Sequence, residues 1–121
     1  MKKDSKSRQK IRRLLDIARA KQPEDPVVLD LSRSNFIWDY CLIMTANSQP
    51  HAEAIVTELV RNSKSDSIRP HHIEKDEQKE WVLMDFGDVA VHIFAEEKRR
   101  FYRLERLFRN AKKVRFRFAK K

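Results

Sequence analysis

Residues 81–94 read Trp-Val-Leu-Met-Asp-Phe-Gly-Asp-Val-Ala-Val-His-Ile-Phe. Two apolar runs, 81–86 and 89–94, flank a short turn that holds the only glycine of the chain, Gly87. Apolar runs on either side of an Asp- and Gly-containing turn are typical of a β-hairpin, and glycine accepts the positive φ that such turns favour. The sequence therefore predicts two antiparallel strands joined by a tight turn.

Three more strands are predicted upstream of the hairpin. Residues 27–31 form a short buried strand, and residues 40–45 are so nearly all apolar that both faces of that strand are expected to be covered. A weaker signal covers residues 67–73, and a charged loop follows at 74–80.

Three helices are predicted from apolar residues at helical spacing. Ser48 suits the cap of the second helix, and the third begins near Glu96. The apolar stripes are, in chain order, Ile11, Leu14, Leu15 and Ala18; Ala52, Ile55, Val56, Leu59 and Val60; Phe101, Leu104 and Phe108, with Tyr102 at the edge.

This order of elements predicts a single α/β domain with a mixed five-stranded sheet flanked by helices. We place the domain at residues 1–108 and treat residues 109–121 as a basic C-terminal extension. Apolar and basic residues alternate over residues 114–118, which indicates either an edge strand or an arm that becomes ordered on a partner.

Positive charge is concentrated at the two ends of this 121-residue chain of net charge +9. Residues 1–21 hold nine Lys/Arg and two Asp, and residues 109–121 hold seven Lys/Arg and no acid, whereas residues 22–108 have a net charge of −5. Basic ends attract polyanions such as nucleic acid, although they also keep a protein soluble. One hypothesis therefore assigns RNA contacts to the end of the chain, with Phe116 and Phe118 stacking on bases and charge from Arg115, Arg117, Lys120 and Lys121.

Several classes of site are disfavoured by composition. Cys41 is the only cysteine, and the four histidines lack the spacing of a zinc-protease motif. Asp85 and Asp88 flank the hairpin turn and could share a cation. Aspartate is also a common turn residue, and we favour this second interpretation. We expect no catalytic residue, metal, cofactor or small-molecule substrate. Because no apolar run follows the start of the chain, we expect no signal peptide. No apolar run approaches the ~18 residues of a membrane span, so we also expect no membrane contact and a cytoplasmic location.

Protein recognition has positive support. Trp81, Leu83 and Asp85 alternate along one strand and therefore share one face of the sheet. A tryptophan beside a charged loop is a suitable anchor for a partner, and it is equally suited to packing under a helix.

The hairpin, followed by Arg-Arg-Phe-Tyr-Arg-Leu-Glu-Arg-Leu at residues 99–107, resembles the signature of the ribosomal silencing factor family, RsfS, also called Iojap. The resemblance covers about residues 8–108, including Asp30, Asp39-Tyr40, Ser48 and His51. The chain departs from the family pattern at Ala46, at the loop before Trp81 and at Trp38.

The resemblance implies a fold similar to that of nucleotidyltransferases without their catalytic motif, and no enzymatic activity. It implies binding to ribosomal protein fourteen of the large subunit, on the face that meets the small subunit. This binding would block subunit joining and repress translation, and relatives also aid large-subunit assembly. The alternatives are an RNA-binding assembly protein that acts through its basic termini and a nucleotidyltransferase-like enzyme.

On this basis five residues are predicted to bind the partner. Trp81 and Tyr102 are expected to supply apolar area, Asp85 to meet basic groups on the ribosomal protein, and Leu83 to contribute beside them. Arg100 is expected either to brace the last helix or to reach an acid.

Overall fold

The computed structural model describes residues 5–34, 36–64 and 67–117. These residues form helices and a sheet in a single α/β arrangement. A short 3₁₀ turn, Arg19–Lys21, follows the first helix. The elements are α1 (Lys6–Ala18), β1 (Glu24–Asp30), β2 (Tyr40–Ala46), α2 (Gln49–Ser63), β3 (His72–Lys75), β4 (Trp81–Asp85), β5 (Val89–Ala95), α3 (Glu96–Tyr102), α4 (Leu104–Leu107) and β6 (Lys112–Val114).

The six strands are ordered β3-β4-β5-β2-β1-β6. The central pair, β2 and β5, is parallel, and the other neighbours are antiparallel. The prediction of a mixed sheet flanked by helices is confirmed, but the expected number of five strands is wrong. The sixth strand, β6, pairs with β1 and lies beyond residue 108, so the sheet continues into the predicted extension as an edge strand. Lys120 and Lys121, assigned to RNA contacts, and Phe118 lie outside the described residues.

Two long helices cover one face of the sheet. Ile11 and Leu14 of α1 and Ile55 and Leu59 of α2 are fully buried in one apolar cluster with the even-numbered residues of the central strand, Leu42 and Met44 among them. Ser48 caps α2 as predicted, because its hydroxyl accepts a hydrogen bond from the His51 amide at 3.1 Å. No helix in the described ranges is both long and apolar enough to cross a bilayer.

The opposite face is covered by shorter segments. Leu104 and Phe108 pack on the central strands β2 and β5 together with Leu31 from the β1–β2 loop. The strand residues in this cluster are Cys41, Ile43, Ala90 and Phe94. This second cluster is the smaller of the two, and its partly buried members include Trp38, Trp81 and Leu83. The less completely covered face is therefore the one to which Trp81 belongs.

The structure corrects two boundary predictions. The third strand is displaced from residues 67–73 to His72–Lys75, all four exposed, so pairing with β4 rather than an apolar stripe determines this strand. The last helix is interrupted at Arg103, which has a left-handed φ of +50°. This break turns Phe101 outward, to 77% exposure, whereas Leu104 and Phe108 are buried as predicted.

The hairpin turn confirms Asp85 as a turn residue, whereas the Asp88 side chain contacts the first helix. Gly87 has a φ of +95°, and its amide donates to Asp85 Oδ1 at 2.8 Å. Asp88 forms an ion pair with Lys10 of α1 at 2.7 Å, which links the turn to the first helix. His71 lies so close to Gly87 that an added Cβ would be 2.9 Å from its Cε1 atom.

We expect Gly87→Ala to lower the free energy of unfolding by about 1–3 kcal/mol, because an L side chain is strained at this φ. Urea denaturation at neutral pH measures the change. Adding His71→Ser to this variant removes the ring contact, so only the backbone part of the loss should persist. A Gly87→Ala protein as stable as the parent would contradict the prediction.

Candidate protein-binding surface

The three residues predicted to share a face of β4 do so. Trp81, Leu83 and Asp85 are half-buried and alternate with Val82 and Met84, which are buried under the helices. Each half-buried side chain therefore presents part of its surface to solvent on the less covered face of the sheet.

Trp81 is packed into a group of aromatic rings. Its ring stacks on Phe94 at 5.1 Å between centroids and meets Tyr102 at 4.7 Å. Its Nε1 donates to Nδ1 of His92 at 3.1 Å. Trp81 therefore packs within the fold and remains partly accessible, and its role as an anchor for a partner stays a prediction.

His92 is the hydrogen-bond acceptor for the Trp81 indole. Burial lowers the pKa of His92 to about 4, so the ring is neutral near neutral pH. Because Nδ1 accepts from Trp81, the hydrogen-bond arrangement assigns the proton to Nε2. This Nε2 is buried and has no hydrogen-bond partner in the described part of the chain.

Trp38, which the sequence did not place in the site, lies on the same surface. Its Nε1 donates to Asp85 Oδ1 at 3.3 Å, and its ring lies edge-on to His92 at 6.0 Å. The loop that carries it is fixed to the hairpin, because the Asp39 amide donates to the Asp88 carbonyl at 2.7 Å. The sequence shows Trp38 only as a tryptophan within a polar turn. Because a turn has no regular periodicity, the sequence could not assign Trp38 to a face of the sheet.

Tyr102 is positioned by the loop before Trp81. Asp76 accepts hydrogen bonds from the amides of Glu80 and Trp81, at 2.7 and 3.1 Å, and pairs with Lys98 of α3 at 3.3 Å. Burial opposes ionisation of Asp76, but the two amides and Lys98 together lower its pKa. Lys98 Nζ also lies 5.9 Å from the centroid of the Tyr102 ring. The loop and α3 are thus held together at the Trp81 end of the surface.

Arg99 fastens α3 to the sheet. Its guanidinium donates to Thr45 Oγ1 at 2.9 Å and to the Asp25 carbonyl at 2.8 Å, and it pairs with Glu105 of α4. Arg100, by contrast, is exposed and pairs with Glu96 at 3.1 Å one turn earlier. Arg100 therefore contacts its own helix, and its ion pair is separate from the Trp81 group; its role toward a partner stays a prediction.

Large apolar side chains border this face with much of their area exposed. Ile37 and Phe101 are both 77% exposed, and the Phe101 ring lies 5.2 Å from that of Tyr102. Exposed apolar area grouped in this way is typical of a binding surface for another protein. We define the aromatic surface by seven residues, of which four are half-buried and three exposed: Trp38, Trp81, Leu83 and Asp85, and Tyr102, Ile37 and Phe101.

A cleft of about 360 Å³ opens elsewhere, where the parallel strands β2 and β5 end. Its polar lining includes Glu24, Asn47, Lys79, Glu80 and Glu96. Within the described ranges no three His, Cys, Asp or Glu side chains are grouped to hold a metal ion. Burial, assisted by the charge of Glu105, raises the pKa of the Cys41 thiol to about 12, which keeps it protonated.

We expect burial of His92 to make folding stability depend on pH. Because its pKa falls from 6.5 when unfolded to about 4 when folded, its stabilising contribution is complete above pH 6.5 and is lost as pH falls toward 4. The loss amounts to about 3 kcal/mol. His92→Gln keeps an acceptor for Trp81 but does not titrate, so its thermal unfolding should depend less on pH in this window. Equal pH profiles for the parent and His92→Gln would contradict the assignment.

A family model described as "Ribosomal silencing factor during starvation" matches residues 4–121. Among curated proteins, the chain is 37% identical over 94 residues to the ribosomal silencing factor RsfS of Halalkalibacterium halodurans, covering 78% of this chain and 80% of that protein. It is 35% identical over 91 residues to RsfS of Bacillus subtilis, covering 75% and 77% of the two chains.

A more distant relative is the mouse mitochondrial assembly of ribosomal large subunit protein 1, 30% identical over 98 residues, with 78% of this chain and 43% of that protein covered. A crystal structure from Bacillus halodurans superposes with a TM-score of 0.73 at 33% identity, covering 89% of this chain and 99% of that one. One from Chromobacterium violaceum gives a TM-score of 0.77 at 25% identity, with 92% of both chains covered. Together with the six-stranded mixed sheet and the hairpin signature, these matches establish that the chain belongs to the ribosomal silencing factor family.

Proposed function

We propose that this protein binds the large ribosomal subunit through ribosomal protein fourteen and blocks joining of the small subunit, which represses translation. In this proposal the chain acts as a binder and catalyses no reaction. The observation that carries the proposal is the aromatic surface. There the 77% exposed Phe101 lies against Tyr102 and Tyr102 lies against Trp81, while Ile37, also 77% exposed, precedes Trp38 in the chain.

The chemistry of the aromatic surface suits a protein partner. Tryptophan and tyrosine supply large contact areas, and they dominate the energetics of protein interfaces. Trp81 is held by Phe94 and His92 and Trp38 by Asp85, so both rings are positioned before a partner arrives. A preformed site loses less conformational entropy on binding, which favours affinity.

A steric mechanism requires only a specific contact and enough bulk behind it. A contact of about 800 Å² per partner is enough for a specific complex. The body of the sheet and the two long helices then lie behind the contact and exclude a second large particle from the same place. Asp85 contributes negative charge at the edge of the contact, since it is half-buried and lies next to Trp38.

An assembly role follows from the same binding. A protein that occupies the joining face of the large subunit also keeps immature subunits apart from their partners. The name of the mouse relative refers to assembly of the mitochondrial large subunit. We include this role for the present chain as part of the proposal.

We expect the double variant Ile37→Ser/Phe101→Ser to bind large subunits at least about tenfold more weakly, because it removes exposed apolar area at the interface. Both side chains are largely outside the core, so folding should be preserved. Co-sedimentation with purified large subunits measures binding, and light scattering measures subunit association. Parental binding by this variant would contradict the use of this surface.

The control is Ile73→Ser. Ile73 is also an exposed apolar residue, at 37%, but it pairs with Met84 and lies on the edge strand toward the helix-covered face. This variant should retain binding and inhibition. Trp81→Ala is a second probe, with unfolding measured in parallel because its ring also packs on Phe94 and Tyr102. If subunits associate equally well with saturating parental protein, the steric mechanism is wrong.

A further inference from the structure

A groove of about 360 Å³ opens where α3 and α4 meet the start of β1 and the end of β2. Four arginines and three acids line it, and its floor includes the buried Thr45 of β2. Thr45 follows Cys41 and Ile43 of the second cluster at intervals of two residues, and alternate residues of a strand face the same side. The groove therefore lies on the same face of the sheet as the aromatic surface.

Arg99 is committed to the walls of this groove. Its guanidinium holds three segments together, namely Glu105 of α4, the Thr45 hydroxyl of β2 and the Asp25 carbonyl of β1. The chain turns between α3 and α4 at Arg103, whose φ of +50° is left-handed. A non-glycine residue persists in this conformation where the surrounding contacts fix it, and such residues are frequent at functional sites.

Two other arginines of the groove have donors to spare. Arg106 is exposed, and its side chain forms no hydrogen bond or ion pair with any residue in the described ranges. Arg103 is also exposed, and within the same ranges only its Nε is bonded, to the Arg100 carbonyl at 3.1 Å. Arg100 pairs with Glu96, but both side chains are mostly exposed, and exposed ion pairs of this kind are weak enough to be exchanged.

We propose that Arg103 and Arg106 bind the phosphate backbone of RNA on the large subunit, at the edge of the contact made by the aromatic surface. Arg100 joins them by exchanging Glu96 for a phosphate. We name these three residues, Arg100, Arg103 and Arg106, the arginine groove. A guanidinium presents its N–H donors in one plane, in a geometry that matches phosphate oxygens. The inference rests on the proposed function, since the RNA is that of the large subunit.

The shape and charge of the groove favour a phosphate backbone. Its three ligand-binding arginines are exposed, so a bound chain passes over the surface instead of entering an enclosed cavity. Successive phosphates can engage separate arginines, whereas one carboxylate of a protein partner satisfies one guanidinium. Asp25 opposes anion binding, because its exposed carboxylate lines the groove and forms no ion pair with the described residues.

The arginine groove adjoins the aromatic surface along the chain. Phe101 and Tyr102 directly precede Arg103, and the exposed Leu107 directly follows Arg106. A partner that covers the aromatic surface therefore also comes next to the arginine groove. Since the large ribosomal subunit is made of protein and RNA, one docked chain can contact a protein with its rings and phosphates with its arginines.

The arginine groove is distinct from the basic end of the chain. Phe116 packs against the cluster on the helix-covered face, whereas the groove lies on the other face. The ring of Phe116 is thus engaged within the fold. The RNA contacts predicted from the sequence for Arg115 and Arg117 stay a prediction.

The first experiment measures binding of the full chain to purified large subunits over a series of salt concentrations. We expect Arg103→Gln/Arg106→Gln to reduce the slope of log K against log salt by about 1–2, because each lost phosphate contact releases fewer counterions. Arg106→Gln alone should reduce the slope by about 1. Its side chain has no hydrogen-bond partner in the described part of the chain, so this variant should fold normally.

Asp25→Asn tests the sign of the electrostatic effect. Removing this carboxylate should tighten binding by about twofold to fivefold at low salt, because it no longer repels phosphate. Asparagine accepts the left-handed φ of +46° at this position, so the backbone should be retained.

The matched control for the arginine variants is Arg61→Gln/Arg69→Gln. It removes two exposed arginines that do not line the groove, so the parental salt slope should be retained.

The second experiment identifies the molecule next to the groove. Cys41 is the only cysteine and is fully buried, so Leu107→Cys provides one accessible thiol beside Arg106 for a photoreactive maleimide. When the labelled chain is illuminated on large subunits, we expect cross-links to RNA, which ribonuclease digestion identifies. Cross-links to protein alone would assign these arginines to carboxylates and overturn the RNA contact.

Three other results would also overturn the proposal: an unchanged slope for Arg103→Gln/Arg106→Gln, an equal reduction in the Arg61/Arg69 control, and weaker binding by Asp25→Asn. Failure of the parental chain to bind large subunits would instead contradict the proposed function. Ile37→Ser/Phe101→Ser should bind more weakly but keep the parental salt slope, so the two surfaces have separate readouts.

Discussion

The parallel pairing of β2 with β5 is the constraint on which the rest of the molecule depends. Residues of β2 are buried at every position, as are those of β5 up to Phe94, so both faces of this pair need cover. The described residues form two long amphipathic helices, α1 and α2, and both pack on one face. The second face is covered by short pieces, namely the β1–β2 loop and two helices of seven and four residues. Incomplete cover on this side leaves tryptophan and tyrosine rings accessible.

Incomplete cover does not mean a loosely organised face. Polar contacts hold each covering segment in place: Trp38 to Asp85, Asp76 to the Trp81 amide, and Arg99 to Thr45. Hydrogen bonds to charged groups are among the stronger ones, particularly where burial lowers the local dielectric. The aromatic surface is thus a fixed shape, which is what a binding surface that works by occupancy requires.

Much of the fold could be predicted because local signals and tertiary structure agree. Gly87 alone identified the hairpin turn, the apolar run at 40–45 identified a strand covered on both faces, and Ser48 identified the start of α2. The failures are places where a single tertiary contact overrides a local pattern. Three residues are too few for β6 to be recognised as a sheet member without its pairing to β1. Arg103 has a left-handed φ although it is not a glycine, so no residue in the sequence indicates that the helix ends there. The prediction therefore extended one helix across the break.

The candidate site divides in the same way. Alternation along β4 correctly placed Trp81, Leu83 and Asp85 on one face, because strand geometry leaves no other choice. The helical spacing of Phe101 with Leu104 and Phe108 assigned it to the core, but the break at Arg103 interrupts that spacing and Phe101 is exposed. Trp38 was missed because its loop is fixed by hydrogen bonds to a hairpin about 50 residues away in sequence. Arg100 shares a helix with Tyr102 but faces Glu96.

The location of the indoles has a practical consequence. The chain contains two tryptophans, Trp38 and Trp81, and both belong to the aromatic surface. Each is half-buried and each lies within 6.0 Å of the His92 ring. All indole fluorescence from this chain therefore originates at the aromatic surface. Its emission should report whether that surface is exposed to solvent or covered by a bound molecule.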